Sequence, residues 1–189
     1  MTDDAAQLRE AERLQDDYLV LAAAGGDRRA FDALARRWNG KLTAHAWRLT
    51  GERDAAEEAV QAAWVEIARG LGRLRDERAF PAWAYRIVTR RCARLIAGRQ
   101  SYRRLARDFA AENQTPESMP ETDPRGDRLS AAIRALPAAQ RAAVALFYFE
   151  EMSVAETAVA LDIPAGTAKT RLMHARRTLR AALEGDDHA

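Results

Sequence analysis

The sequence predicts an all-α protein built as two small helical domains joined by a flexible linker. Three observations predict it. First, the 189-residue chain is 48% hydrophobic, but alanine, leucine and arginine dominate and valine–isoleucine runs are rare, a balance that favours helix over sheet. Second, apolar residues recur at three- and four-residue steps between cap-like and glycine stop signals. Third, the stretch 112–127 changes character. It holds Pro116, Pro120 and Pro124 with several acids and little that could enter a core, as an extended or flexible linker does. The expected domains are therefore residues 16–111 and 128–184.

The elements follow in order. Residues 16–24 read as a short helix stopped by Gly25 and Gly26, and the residues before them give no clear signal. Asp27 can cap a second helix over 28 to about 49, where Phe31, Leu34, Trp38, Leu42 and Trp47 fall near helical spacing before Gly51 ends it. Asp54 and Glu57 have the spacing of a capping box for a third helix to about 68, broken by Gly70 and Gly72. A polar loop over 73–79 precedes Pro81, which suits the first turn of a fourth helix running past 96. Beyond the linker, one helix covers 129–135 and Pro137 starts another through about 149. Ser153 and Glu156 form a capping-box signature for a helix to about 161, and Pro164 precedes a last helix to about 183. The tail after it is acidic. No strand pattern, internal repeat or nucleotide-binding glycine loop is present.

Composition bounds the function. The net charge is only +2 with a pI near 9.0, yet the charges are segregated. Residues 86–107 carry eight arginines and no acid, and 169–180 carry five cations and no acid, whereas 1–17 and 112–127 are acidic. Segregation of this kind suits a polyanionic partner; the bland alternative for either segment is a solvated helix face. Cys92 is the only cysteine, which excludes an internal disulfide and a cysteine-based zinc cluster. His45, His174 and His188 lack metal-ligand spacing, and no paired nucleophile and base stands out. No metal, no cofactor and no enzymatic activity are expected. The N-terminus has no apolar signal core, and the apolar stretch 18–24 is too short to span a bilayer, so a soluble cytoplasmic protein without membrane insertion is expected.

The most informative stretch is 152–176. It reads as two short helices about a tight turn, a helix-turn-helix, the geometry that lays a recognition helix in the major groove of DNA. In the second helix Ala168, Leu172, Ala175 and Leu179 share one face and should pack on Val154, Ala158 and Leu161. Lys169, Thr170, Arg171, Met173, His174 and Arg176 then point outward or flank that face, where cations and a hydroxyl can reach base edges and phosphates. Arg86, Arg90 and Arg94 repeat every four residues, a stripe suited to a phosphate backbone.

The run from Pro164 to Arg176 (Pro-x-Gly-Thr-x-Lys-x-Arg-Leu-x-x-Ala-Arg), with Leu136 to Arg141 and Phe147 to Ser153 before it, resembles the C-terminal domain of bacterial sigma factors. It is most similar to the extracytoplasmic-function (ECF) subfamily. Phe31 to Leu34, Asp54 to Gln61 and Phe80 to Val88 resemble that family's polymerase-binding and promoter-melting domain. Together the two resemblances cover about residues 16–183.

The resemblance implies a mechanism. The N-terminal domain would dock on core RNA polymerase through Glu57, Glu58, Gln61 and Trp64, and open the promoter −10 element. The loop 73–79, with Arg73, Arg75 and Arg78, matches the family's loop that captures a flipped base, and Arg86, Arg90 and Arg94 would follow the −10 backbone. Lys169, Thr170, Arg171, Met173, His174 and Arg176 would face the −35 element. The partners implied are core RNA polymerase, promoter DNA and an anti-sigma factor acting in trans. The chain departs from the family pattern in four places. Arg90 stands where Asn is usual and Arg94 where Asp is usual, so the family's −10 base preference is a poor guide here. Ala168 replaces a valine or isoleucine, and Glu58 replaces Asp. For Trp64 and Trp83 core packing is the expected role, as it is for Trp38 and Trp47. The competing readings are a stand-alone helix-turn-helix regulator, which has no need of the Glu57–Gln61 and Trp83–Val88 patterns, and a sigma-like decoy that sequesters an anti-sigma factor.

Overall fold

The computed structural model describes residues 2–109 and 124–184. Among these residues the regular elements are all helical. They are α1 (Thr2–Ala24), α2 (Arg28–Thr50), α3 (Arg53–Gly70), α4 (Phe80–Phe109), α5 (Pro124–Ala135), α6 (Ala138–Val144), α7 (Val154–Leu161) and α8 (Ala165–Glu184).

Helix α1 begins at Thr2, well before the expected start at Asp16. No glycine or proline precedes Gly25, and alanine, leucine, glutamate and arginine are strong helix formers. The helix is fastened where it matters: Leu19 and Val20 are buried, and Arg37 Nε donates to Asp16 Oδ1 at 2.8 Å. Helix α2 matches its expected bounds. Asp27 Oδ1 accepts from the Arg29 and Ala30 amides at its N-terminus, and Gly51 takes the left-handed conformation (φ 75°) that closes its end. Helix α3 departs from expectation at its start. Glu52 holds the N-cap position, but its side chain pairs with Arg99 and makes no capping hydrogen bond, so Asp54 and Glu57 form no capping box. Asp54 lies in the first helical turn instead, where its charge meets the positive end of the dipole.

The core of the first half is the meeting of α2, α3 and α4. Leu34 and Leu42, Ile67, and Phe80 and Val88 are fully buried, each contributing about 1.5–3 kcal/mol relative to exposure. Trp38 stands edge-on to Phe80 with ring centroids 5.3 Å apart and to Tyr85 at 5.9 Å. Trp47, Trp64 and Trp83 pack half-buried on the same core. Gly70 at the end of α3 lies against α4, where a Cβ would stand 2.9 Å from Trp83 Cζ2.

The sequence places the linker over 112–127, but Pro124 opens α5 at once, as proline does in a first helical turn. Residues 112–123 lie outside the described residues. The helix expected to run from Pro137 to about 149 is α-helical only to Val144 and continues as a π-helical turn, Ala145–Phe149. The Glu150 amide bonds back to the Ala145 carbonyl at 3.2 Å and the Met152 amide to the Leu146 carbonyl at 3.1 Å. The turn thus takes up one residue more than an α-turn and re-aims Glu150. A second, smaller core gathers Leu136, Ala143, Val144, Leu172 and Ala175, with Val154, Leu161 and Leu179 at its edge.

The two halves are not separate. The larger core continues from α2–α4 into Ala142, Ala145, Leu146, Met152 and Ala160, and α4 packs along α7. A sequence that shows a linker shows a chain break between domains, and carries no signal that they dock.

Gly70→Ala should force the rigid Trp83 ring off its seat and destabilise the protein by about 1–3 kcal/mol, the usual cost of overpacking. Urea denaturation of the two proteins checks this; an unchanged midpoint would mean that the α3–α4 contact can give way freely.

Candidate nucleic-acid interface

The helix-turn-helix is built by local chemistry. Ser153 Oγ accepts from the Glu156 amide at 3.2 Å while Glu156 Oε2 accepts from the Ser153 amide at 2.8 Å, a complete capping box that starts α7. At the other end Asp162 takes the left-handed conformation (φ 56°), and the Ile163 amide bonds back to the Ala158 carbonyl at 3.0 Å. Pro164 cannot continue α7, and its carbonyl accepts from Thr167 and Ala168 to begin α8. Ala168, Leu172 and Ala175 are buried.

The opposite face of α8 holds the expected reading residues. Lys169, Thr170, Met173, His174 and Arg176 are exposed and Arg171 is half-buried. Lys169, Arg171 and Arg176 have no ion pair among the described residues, so their charge is open to a ligand. The Thr170 hydroxyl donates to the Gly166 carbonyl at 2.9 Å and must rotate to serve a base.

The α4 stripe is different. Of its three cations, only Arg94 is without an ion pair among the described residues. Arg86 NH2 lies 2.6 Å from Asp162 Oδ2, at the turn of the helix-turn-helix. Arg90 pairs with Glu66 of α3, and Arg91 reaches the other oxygen of the same carboxylate at 2.7 Å. Burial works against the Glu66 charge, but Arg91 and Arg90 prevail and hold its carboxyl below the usual range. The spacing read in the sequence is real, yet two of the three arginines are engaged internally by acids from other helices.

In the loop before α4, Arg73 and Arg75 are exposed with no ion pair among the described residues. Arg78 folds back on Asp76, Nε to Oδ1 at 3.0 Å, and Asp76 also caps the short 3-10 turn Glu77–Ala79. On α3, Glu57, Glu58 and Gln61 are exposed and Trp64 half-buried on one side of the helix, bordering a groove with Asn39 and Thr43 of α2. Glu57 accepts from Arg53 at 2.9 Å, and Glu58 lies 3.7 Å from Arg99. Trp64 donates its Nε1–H to Asn39 Oδ1 at 3.0 Å and meets Phe31 edge-on at 5.9 Å. Its ring is thus half core and half groove wall. The structure therefore brings the α3 residues together on one face and the α8 residues on another.

One cluster has no counterpart in the sequence reading. Glu150, just past the π-turn, is nearly buried between the halves. Arg48 donates to its Oε1 at 2.7 Å, the Tyr85 hydroxyl donates to its Oε2, and His45 Nδ1 lies 4.0 Å away. Burial raises the Glu150 pKa despite these donors. His45 Nε2 is bonded to Thr89 Oγ1 at 2.9 Å, and burial, helped by the Arg48 charge, lowers its pKa to about 3. Burial and the facing Glu150 charge push the Tyr85 hydroxyl strongly upward. A neutral imidazole on an apolar helix face reads as core in any sequence, and an acid after an apolar run reads as solvent-facing. Neither gives a signal. Among the described residues no group of His, Cys, Asp and Glu could hold a metal ion, and no helix is long and apolar enough to cross a membrane.

Comparison with known proteins agrees with this geometry. The family described as Sigma-70 region 2 matches residues 34–102, and Sigma-70, region 4 matches residues 126–179. The chain is 32% identical to the ECF RNA polymerase sigma factor SigM of Mycobacterium tuberculosis, over 89% of this chain and 84% of that protein. It is 28% identical to the RNA polymerase sigma-H factor of Pseudomonas aeruginosa, over 90% and 94% of the two chains. Among solved structures it is similar to CnrH in complex with the cytosolic domain of CnrY, with a TM-score of 0.69 and 25% identity, covering 91% of this chain and 99% of that one.

Glu66→Gln should release Arg90 and Arg91 toward solvent. Fluorescence anisotropy with a non-specific DNA duplex should then show roughly two-fold tighter binding at low salt and a salt slope steeper by up to about one. An identical slope would remove both arginines from the interface.

Proposed function

Because the chain belongs to the ECF RNA polymerase sigma factors, we propose a division of labour among its surfaces in bringing core RNA polymerase to promoters. A sigma factor binds core polymerase and directs promoter recognition and initiation. In this chain the domain over 16–111 takes the polymerase and the −10 element, and the domain over 128–184 takes the −35 element, with 112–127 between them. Glu57, Glu58, Gln61 and Trp64 dock on polymerase. Their shared, largely exposed face beside a groove supports this. Arg73, Arg75 and Arg78 line the loop that holds a flipped base, whose unstacking costs a few kcal/mol and needs a fitted pocket. Arg86, Arg90 and Arg94 follow the backbone of the −10 region.

The observation that carries the reading is the two-sided α8. Ala168, Leu172 and Ala175 are buried while Lys169, Arg171 and Arg176 stand on the other side with no ion pair among the described residues. Such a helix fits the major groove, its cations and hydroxyl reaching phosphates and base edges. The phosphodiester chemistry stays with the polymerase, in the cytoplasm, and the protein itself is no enzyme. CnrH is held by the cytosolic domain of CnrY, which supports a protein regulator for this chain as well, an anti-sigma factor by family resemblance.

The direct test is transcription of fragmented genomic DNA by core polymerase, with and without the protein, mapping RNA 5′ ends. New ends that share a −35/−10 pair are expected; no new ends and no polymerase binding would hand the function to a stand-alone regulator or a decoy. In the same assay Lys169→Ala with Arg171→Ala should weaken −35-dependent initiation at least about ten-fold, as each lost base or phosphate contact costs roughly 1–3 kcal/mol, and leave polymerase affinity unchanged. Glu57→Ala with Gln61→Ala should do the reverse, lowering polymerase affinity in a pull-down titration while DNA contacts persist.

A further inference from the structure

Asn39 stands in the interior of α2 and is exposed. Asparagine is a poor helix former in such a place, because its amide competes with the backbone for local hydrogen bonds. Here the amide reaches across to another helix. Its Oδ1 accepts the Nε1–H of Trp64 on α3 at 3.0 Å, over 25 positions of sequence.

As a folding contact this pair is close to neutral. An exposed hydrogen bond between side chains gains little over the bonds that each group makes with water, and the helix propensity lost relative to alanine offsets that gain. What the bond changes is the indole. Trp64 is half-buried, and Phe31 meets it edge-on with ring centroids 5.9 Å apart and planes at 85°. An apolar ring contact is compatible with more than one rotamer, whereas an N–H that must meet a fixed oxygen selects one. So held, Trp64 and Gln61 of α3 and Asn39 and Thr43 of α2 line the groove beside Glu57 and Glu58. A side chain already fixed in its bound rotamer loses less entropy when a partner covers it.

We propose that Asn39 is a positioning residue for polymerase docking, which by accepting the Trp64 indole N–H holds the ring in the orientation that core polymerase covers. This rests on the assignment of Glu57, Glu58, Gln61 and Trp64 to polymerase. Asn39 acts through Trp64, so its contribution exists only while the indole N–H does. Trp64 then serves as a fixed wall of the groove, and a residue of α2 tunes an affinity carried by α3.

The test is a double-mutant cycle on the full chain, read as affinity for core polymerase in a pull-down titration. Asn39→Ala should weaken binding about three- to ten-fold, the range of one lost hydrogen bond and one freed side chain. Asn39→Asp keeps an acceptor oxygen in the same place and should stay within about two-fold of the unaltered protein. Trp64→Phe removes the N–H and keeps an aromatic ring. In that background Asn39→Ala should change affinity by less than about 1.5-fold. Circular dichroism melting of each variant separates loss of fold from loss of binding, and Asn39→Ala should melt close to the unaltered protein because alanine is the better helix former. Full affinity in Asn39→Ala overturns the proposal. So does an equal loss from Asn39→Ala in both backgrounds, which makes Asn39 a direct contact, or an Asn39→Asp variant as weak as Asn39→Ala. Glu57→Ala with Gln61→Ala probes the docking reading without touching this pair. Unchanged affinity there sinks that reading and this proposal with it, whereas a loss there beside a silent Asn39→Ala sinks the positioning role alone.

Discussion

Helix α4 has to be covered on two sides, and much of the architecture follows from that constraint. One side carries Phe80, Ala84 and Val88, all fully buried, against α2 and α3. Another receives α7. Small residues allow the second contact: Ala158 and Ala160 of α7 are buried beside a core that also takes in Leu146 and Met152. A helical unit of roughly 60 residues buries too small a share of its surface to be more than marginally stable by itself. Docking on α4 supplies the C-terminal half with apolar cover that its own small core does not provide.

Polar chemistry sets the register of that docking. Apolar packing is non-directional, and alanine-rich surfaces slide. A carboxylate held by Arg48 and Tyr85 fixes one arrangement, because leaving such a group buried without its partners costs on the order of 3–5 kcal/mol. The titrations in the cluster oppose one another. His45 binds a proton less readily when buried, its pKa falling from 6.5 to about 3, so its contribution to stability is present above 6.5 and is lost as the pH falls through that window. Glu150 has a raised pKa, so its burial costs most when it is charged and that cost shrinks as the pH falls. As the pH falls, the two effects therefore run in opposite directions.

Local rules were legible in the sequence wherever the chain obeys them locally. Asp27, Gly51, Ser153 with Glu156, and Pro164 each act within a few residues, and each ends or starts a helix where its chemistry requires. The buried and open faces of α8 were equally legible, since helical spacing alone sorts Ala168 and Leu172 from Lys169 and Arg176. What escaped reading depends on partners distant in sequence. Arg86 and Arg90 look like free cations until Asp162 and Glu66 are brought beside them. Glu150 meets Arg48 across 102 positions, and no spacing rule reaches that far. The π-turn escaped too, because Ala145–Phe149 is as apolar as any helical stretch. The early start of α1 shows the opposite failure: plain helix propensity was present from Thr2, but without a cap or an apolar rhythm it marked no boundary.

Cys92 lies in the core of the first half at 1% exposure, with its thiol pushed up to about 12 by burial. At neutral pH it is a protonated, sheltered thiol, inert toward maleimides and disulfide exchange. The native protein is thus chemically silent to thiol reagents while folded. A cysteine introduced at any exposed position becomes its only reactive thiol, so a fluorophore or spin label can be placed on either half without first removing the natural residue.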